Sequence, residues 1–313
     1  MLRFILRRLL QAIPTLLGVL TLTWFLFFGT ASAESIARRN LSSKDPTPAQ
    51  VQGWIKEHGY DQPPAVQLRK ATVDMLMFKF GKSDATKEDI WTRIRQGAGP
   101  SIVVSSTIFL GTVLGAILVA VLAAAFRGTY IDKTTTIVCV LMMSVVYTVY
   151  VIGGQYFLSK QLRYGPIWGF DPASGLFKYI LVPSAIGFAA GIATEIRLYR
   201  TFLLDEISQD YVRTARAKGV SETRILAQHV VKNALIPIIT NTVAVIPGLI
   251  LGGLLLENFF GIPGLGSYLF EALGSNDFSV VRAMVFLGTL LYIFGLIMTD
   301  IAYAIVDPRV RID

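Results

Sequence analysis

Two acidic residues, Glu195 and Asp300, lie in long apolar stretches of this chain. Carboxylates inside membrane-spanning segments are costly and often functional, so such a pair could form a proton path. Each one, however, lies near one end of its apolar stretch, and Arg197 and Arg200 follow Glu195 closely. We therefore expect Glu195 to form an ion pair with a neighbouring arginine rather than to transfer protons.

The signatures of common catalytic sites are missing from the sequence. It contains no G-x-x-x-x-G-K-[ST], G-x-S-x-G, H-E-x-x-H or C-x-x-C pattern, so no phosphate-binding loop, hydrolase site or redox centre is indicated. Cys139 is the single cysteine, and the two histidines, His58 and His229, are far apart. We expect neither a catalytic nor a metal site, and any work must be powered by a partner.

A polar, basic stretch, residues 196–240, separates two long apolar runs. Its first half has helix-forming composition, and Gly219 stands where a helix would end in a left-handed residue. Ser221 is placed to cap the next helix. We predict a short helix over 205–220, followed by a glycine turn and a second helix, a shape typical of a docking element.

The composition is that of a polytopic membrane protein. Of the 313 residues, 53% are hydrophobic and 16% are charged, and the charges cluster between apolar runs. The mean hydropathy of +0.56 is too high for a soluble domain. The net charge of +8 does not require a nucleic-acid partner, because Lys and Arg gather in the cytoplasmic loops of membrane proteins.

Six apolar runs are long enough to cross a bilayer. The first, Leu9–Thr30, precedes Ala31-Ser32-Ala33 and resembles a signal peptide. It exceeds the usual apolar core of about 7–15 residues, so we expect an uncleaved helix within a segment 1–30. The other five predicted spans are residues 101–125, 135–158, 178–199, 234–256 and 281–305.

The segment 31–99 is polar and contains no spanning run. Thr47, Pro48 and Gln50 form a helix start with a capping box, and Gly59 is placed to end that helix. A second amphipathic helix is predicted from the Asp61–Pro64 turn to about Gly81. This segment is either a platform for another protein or a cap over helix ends.

The basic residues indicate the orientation. Six spans put both termini on one side, and that side holds Arg3, Arg7, Arg8, the basic residues of 197–232, Arg309 and Arg311. The positive-inside rule then makes both termini and the loop 200–233 cytoplasmic. The segment 31–99 lies outside, and residues 100–313 form a core with five spans.

The residues Asp210–Gly219, DYVRTARAKG, resemble the cytoplasmic EAA loop of ABC importer permeases. Within these they are closest to the B-type subunit of the dipeptide/oligopeptide (Dpp/Opp) family. Arg213 replaces the usual glutamate, and Lys232-Asn233 stands where others have Leu-Pro. The dipeptide/oligopeptide subgroup shares these departures from the general motif. The resemblance implies that the ATPase-coupling residues are Asp210, Tyr211, Arg213, Thr214, Ala215, Arg216, Lys218 and Gly219.

Three more stretches extend the resemblance: the TP and DQP pair around Thr47 and Asp61, the segment Glu257–Gly266, and the DPRVR tail at 307–311. The third span departs from it, because relatives often carry Ser-x-Pro where this chain has Ser144-Val145-Val146. Seven residues have two possible roles. They either line a translocation path or gate, or only bond to neighbouring helices and turns: Ser144, Tyr147, Gln155, Asn241, Glu257, Phe260 and Pro263.

The resemblance implies an all-α membrane protein of six transmembrane helices, with the type I ABC importer permease fold and a largely helical extracytoplasmic insertion between helices 1 and 2. Such a subunit sits in the bacterial inner membrane and forms half of a path for peptides or similar small solutes. The implied partners are a second, C-type permease, two ATP-binding subunits, a solute-binding protein and membrane lipid. ATP and Mg would be bound by the partners, and no cofactor or nucleic acid by this chain.

Two other functions remain open from the residues alone. An ion- or proton-coupled secondary transporter would show charged residues in mid-span and inverted repeats. A non-transporting membrane scaffold would lack the glycine-hinged cytoplasmic loop. Co-purification with an ATP-hydrolysing complex would separate both from the importer.

Overall fold

The computed structural model describes residues 2–26, 32–41 and 46–306. It is helical. The first part of the chain contains α1 (Leu2–Trp24), α2 (Ala33–Asn40), α3 (Pro48–His58), α4 (Pro64–Leu76), α5 (Ile90–Ala125), α6 (Tyr130–Met143) and α7 (Tyr147–Gly154). The second part contains α8 (Leu176–Ile207), α9 (Asp210–Ala217), α10 (Glu222–Ile225), α11 (Lys232–Val245), α12 (Leu254–Phe260), α13 (Leu265–Gly274) and α14 (Phe278–Val306). Short π-helical and 3-10 turns continue α7, α10 and α11.

Four helical segments of the described chain are long and apolar enough to cross a membrane: Ile90–Ala125, Leu176–Ile207, Glu222–Leu251 and Phe278–Tyr303. The third predicted span is not one straight helix. It consists of Tyr130–Met143 and Tyr147–Gln161, which meet at 89°. The bend occurs without the family's proline, because Ser144 ends α6 and Val146 adopts an extended conformation before α7.

The first predicted span coincides with α1, in which Leu10–Trp24 is the apolar part. These 15 residues are fewer than the roughly 20 needed to cross a bilayer. The expected continuation over residues 27–30 lies outside the described residues, as do Ala31 and the DPRVR tail. Ser32 caps α2, which begins at Ala33. Pro14 is accommodated inside α1.

The second span begins earlier than expected. Helix α5 starts at Ile90 and runs through Gly99-Pro100 instead of beginning after them. Asp89 caps its start by accepting hydrogen bonds from the Thr92 backbone N–H at 2.8 Å and hydroxyl at 2.7 Å. Pro100 inside the helix removes one backbone hydrogen bond. The capped start and the buried side chains of Ile90 and Ile94 offset the free-energy cost of that loss.

The predicted turns of the segment 31–99 are mostly confirmed. Thr47 and Gln50 form the capping box, and Gly59 ends α3 in the left-handed conformation with φ of 75°. The second amphipathic helix is shorter than predicted, since α4 ends at Leu76 rather than near Gly81.

The described residues fall into two compact units. One contains residues up to Gly97 together with Tyr268–Phe294, and the other contains Ala98–Ser267 together with residues from Gly295 onward. In the first, Phe78 packs against the rings of Phe80, Trp91 and Phe286 at centroid distances of 5.5–5.9 Å. The second buries two apolar clusters, which hold α5–α8 together with α11 and α12.

Two aspartates fasten the turn before α5 to the start of α14 within the first unit. Asp277 accepts hydrogen bonds from the Ser83 hydroxyl and from the Asp84 and Ala85 backbone N–H groups. Asp84 in turn accepts from the Ser279 N–H at 3.1 Å and hydroxyl at 2.9 Å. Burial raises the pKa of Asp84, while the Ser279 hydrogen bonds lower it. We call these reciprocal contacts the clasp of Asp84 and Asp277, and no sequence motif indicated it.

Candidate functional site

The loop 200–233 contains two separate helices, α8 and α9, where one helix over 205–220 was predicted. Helix α8 continues to Ile207, and α9 starts anew at Asp210. Gln209 is extended at φ −69° and ψ 152°, which separates the two helices. The predicted glycine turn is confirmed: Gly219 has φ of 77°, and nothing lies within 4 Å of a Cβ built there. Ser221 is at the cap position of α10, but its side chain makes no capping hydrogen bond.

Helix α9 presents one polar face and buries the other. Val212 is fully buried and Ala215 is 8% exposed. Ala215, one of the residues implied to couple to an ATPase, therefore lies on the buried face of α9. The other seven residues implied to couple to an ATPase are exposed: Asp210, Tyr211, Arg213, Thr214, Arg216, Lys218 and Gly219.

The buried face of α9 belongs to the apolar core of the second unit. Val212 and Ala215 lie in one cluster with Leu203 and Ile207 of α8 and with Ile225. The same cluster continues to Ala234 and Ile238 of α11. Because close-packed interiors transmit displacement, a push on α9 would reach both α8 and α11.

Two polar contacts hold the ends of α9. The Arg216 guanidinium donates to both carboxylate oxygens of Glu222, at 2.6 and 3.1 Å, and so bridges the Gly219 turn. The Tyr211 hydroxyl donates to the Glu206 carboxylate of α8. Partial burial raises the pKa of Tyr211, and the Glu206 carboxylate raises it further.

The expected ion pair of Glu195 is wrong. Arg200 instead forms a two-point contact with Asp132, at 2.7 and 3.0 Å. Asp132 also accepts the Gly128 backbone N–H at 2.9 Å. The Arg197 side chain donates to the Met143 sulfur at 3.4 Å. In a helix Glu195 and Arg200 are five residues apart and do not share a face, so the arginine reaches α6 instead.

A cavity of about 400 Å³ lies in the second unit among α5, α8 and α11. Its apolar wall includes Val104, Ile108 and Leu249, and its polar side chains are Ser105, Thr112, Tyr147, Glu195, Tyr199, Asn241 and Thr242. Tyr199 and Thr242 are 3.3 Å apart through their hydroxyl oxygens. Its size and its mainly apolar wall with few polar groups are typical of small-molecule sites.

The structure brings two of the seven residues proposed for a path or gate, Tyr147 and Asn241, to this cavity. The Ser144 hydroxyl donates to the Val140 carbonyl of its own helix. The Gln155 amide donates to the carbonyls of Ile167 at 2.6 Å and Phe259 at 3.0 Å. Phe260 is buried in an apolar cluster, and Pro263 lies in the turn between α12 and α13.

Glu257 is fully buried in the described structure and organises the turn that follows α12. Its carboxylate accepts the backbone N–H groups of Gly253 at 3.2 Å, Gly266 at 2.8 Å and Ser267 at 3.2 Å. A Cβ at Gly264 would lie 2.1 Å from the Glu257 Oε2 atom. The glycines of this stretch are thus required because backbone wraps closely around a carboxylate.

Four polar cavity residues were missed by sequence reasoning: Ser105, Thr112, Tyr199 and Thr242. A hydroxyl group in an apolar span is a weak indication of a functional site, because it can donate a hydrogen bond to a carbonyl on the preceding turn of its own helix. The Thr242 hydroxyl does this by donating to the Ile238 carbonyl at 2.7 Å. A signal was present for Tyr199, which follows Glu195 by one helical turn and so shares its face.

Comparison with known proteins places the chain in a family. Residues 116–312 match the family described as binding-protein-dependent transport system inner membrane component. A Brucella abortus (strain 2308) protein named as a peptide transport system permease is 32% identical over 314 residues, covering 99% of each chain. The glutathione transport system permease protein GsiC of Salmonella paratyphi A is 31% identical over 315 residues, again covering 99% of each. This chain therefore belongs to the family of binding-protein-dependent inner membrane transport components, as a permease subunit of an ABC importer with the type I fold.

Proposed function

We propose that this permease forms half of a path for peptides or similar small solutes. The observation that carries the proposal is the cavity among α5, α8 and α11, which has the size and mixed lining of a small-molecule site. The names of the Brucella and Salmonella relatives support this solute class.

The exposed face of α9 is the proposed docking site for an ATP-binding subunit. Its Tyr211, Arg213 and Lys218 are exposed, while Val212 and Ala215 anchor the helix in the core. Two such subunits, a second C-type permease and an extracytoplasmic solute-binding protein complete the proposed complex. This chain has no phosphate-binding loop, so ATP and Mg belong to the partners and it has no ATPase activity alone.

In the proposed topology both termini and the loop 200–233 are cytoplasmic, and residues 31–99 are outside. The distribution of Lys and Arg supports this orientation. The clasp of Asp84 and Asp277 holds the end of the segment 31–99 in place, which supports its proposed role as a platform for a binding protein. In a chain with Cys139→Ser, cysteines at the exposed positions Asp61 and Lys218 should react with an impermeant maleimide from outside and inside, respectively.

The decisive experiment reconstitutes the chain with its candidate partners in proteoliposomes. We expect uptake of a radiolabelled tripeptide that requires ATP and the binding protein, and no ATP hydrolysis by the purified chain alone. Uptake driven by a proton gradient without ATP would instead support the secondary transporter, which Glu195 in the cavity favours. Hydrolysis by the isolated chain, or assembly without any transport, would contradict the proposal.

A further inference from the structure

The cavity among α5, α8 and α11 contains one formal charge, on Glu195, among the described residues that line it. No Lys, Arg or His is among those lining residues. The two arginines nearest in sequence are engaged elsewhere, since Arg200 contacts Asp132 and Arg197 contacts the Met143 sulfur. The protein therefore places a carboxylate in its apolar cavity and supplies it with no cation there.

One oxygen of this carboxylate lacks a hydrogen-bond partner. The Glu195 Oε2 atom is buried and makes no hydrogen bond within the described structure, and the same holds for the Thr112 hydroxyl on the cavity wall. Burying an ionised carboxylate without a partner is costly, and removing the cost requires a cation or a donor. Two unsatisfied oxygens in one cavity thus define a site for a donor that comes from outside the chain.

The surroundings of Glu195 leave room for such a group. Gly191 is one turn before Glu195 and also lines the cavity. A Cβ at Gly191 would lie 3.8 Å from the Thr112 Cγ2 atom, at ordinary van der Waals distance. The Asn241 side chain, also in the lining, adds a carbonyl oxygen as a third acceptor. Three oxygen acceptors on an apolar wall suit a primary ammonium, which carries three N–H donors.

We propose that Glu195 receives the ammonium group of the solute as it passes through the permease. This rests on the proposed function and names its substrate class: solutes with a free amino group, such as peptides with an unblocked N-terminus. Thr112 and Asn241 accept the remaining N–H donors. Solutes without a cation leave the Glu195 Oε2 atom without a partner and pass more slowly.

The first test compares two probes in proteoliposomes that contain the complete transporter: the tripeptide Ala-Ala-Ala and its N-acetyl form. Each is supplied at saturating concentration. In wild type, the free tripeptide should enter about tenfold faster, the size expected for one charge-assisted hydrogen bond. Glu195→Gln should abolish this preference, and Glu271→Gln, an exposed acid on α13, should retain it. An equal preference in wild type and Glu195→Gln would overturn the inference while leaving peptide import intact.

The second test does not depend on transport. Dicyclohexylcarbodiimide modifies carboxyl groups in apolar surroundings, and mass spectrometry can follow Glu195 in the purified complex. Tetramethylammonium chloride, which supplies the positive charge of an ammonium without its N–H donors, should slow the modification at least threefold relative to equal concentrations of sodium chloride or neutral tert-butanol. A Glu195 that does not react, or that reacts equally under all three conditions, would overturn the cation site. If neither tripeptide is transported but tetramethylammonium protects Glu195, the peptide assignment fails and the cation site stands.

Discussion

Arg216 and Glu222 face each other across the Gly219 turn, with the Arg216 Nε atom 2.6 Å from the Glu222 Oε1 atom. The pair joins the end of α9 to the start of α10, and the turn between them is left-handed at Gly219. The proposed docking surface is therefore a loop closed by an ion pair, and its shape depends on both the backbone conformation of Gly219 and the Arg216–Glu222 contact.

Gly219→Trp should impair both transport and the ATP hydrolysis that transport stimulates. A non-glycine residue at φ of 77° is strained by about 1 kcal/mol, and the indole would protrude from a position that is open in this structure. We expect normal membrane insertion, with at least a fivefold loss of both uptake and stimulated ATPase activity. Gly175→Trp is the control, since Gly175 also has a positive φ and open space but lies in the loop before α8. Wild-type transport by an assembled Gly219→Trp complex would refute the coupling role.

The Arg216–Glu222 pair should matter more for coupling than for stability. Both side chains are more than a third exposed, and exposed pairs contribute about 0.2–1 kcal/mol. We expect Arg216→Ala to change the melting temperature by no more than about 2 °C while lowering stimulated ATP hydrolysis. The charge-swapped double variant Arg216→Glu, Glu222→Arg should recover part of that activity. No recovery would mean that Arg216 acts through the partner rather than through Glu222.

Breaking the Asp132–Arg200 contact should destabilise the permease. The Asp132 side chain is 9% exposed and Arg200 25%, and the loss of one partner leaves the other charge poorly solvated. We expect Asp132→Asn to cost about 1–3 kcal/mol, measured as a lower melting temperature in detergent. Asp210→Asn, in the exposed 3.5 Å contact with Arg213, should have almost no effect. Equal effects of the two variants would contradict this distinction.

Gly264→Ala should disturb the turn around Glu257. The added methyl group would lie 2.1 Å from the Glu257 Oε2 atom, so the carboxylate must move and lose backbone hydrogen bonds. Overpacking of this kind costs about 1–3 kcal/mol. Gly99→Ala, where nothing lies within 4 Å, should be neutral or stabilising, because alanine favours the helix. Thermal unfolding of both variants in nanodiscs would test this, and equal melting temperatures would contradict it.

Several local features could be read directly from residue type and spacing. The capping box of Thr47 and Gln50, the helix end at Gly59 and the left-handed Gly219 depend on interactions within a few residues. The clasp between Asp84 and Asp277 could not be inferred in this way, since its partners are more than 190 residues apart. The 89° bend of the third span was also missed, because the proline that usually marks such a kink is absent.

The sequence by itself determined the class of this protein: its apolar runs, its basic stretch 196–240 and its resemblance to ABC importer permeases all follow from local composition and motif. Tertiary structure alone decided which polar groups meet. Arg200 is near Glu195 in the chain, yet it binds Asp132 on another helix, and Glu195 is left in the cavity with Thr112 and Asn241. The physical reason is that apolarity along one segment specifies a span, whereas the rotation and packing of each helix determine which face of that span meets its neighbours.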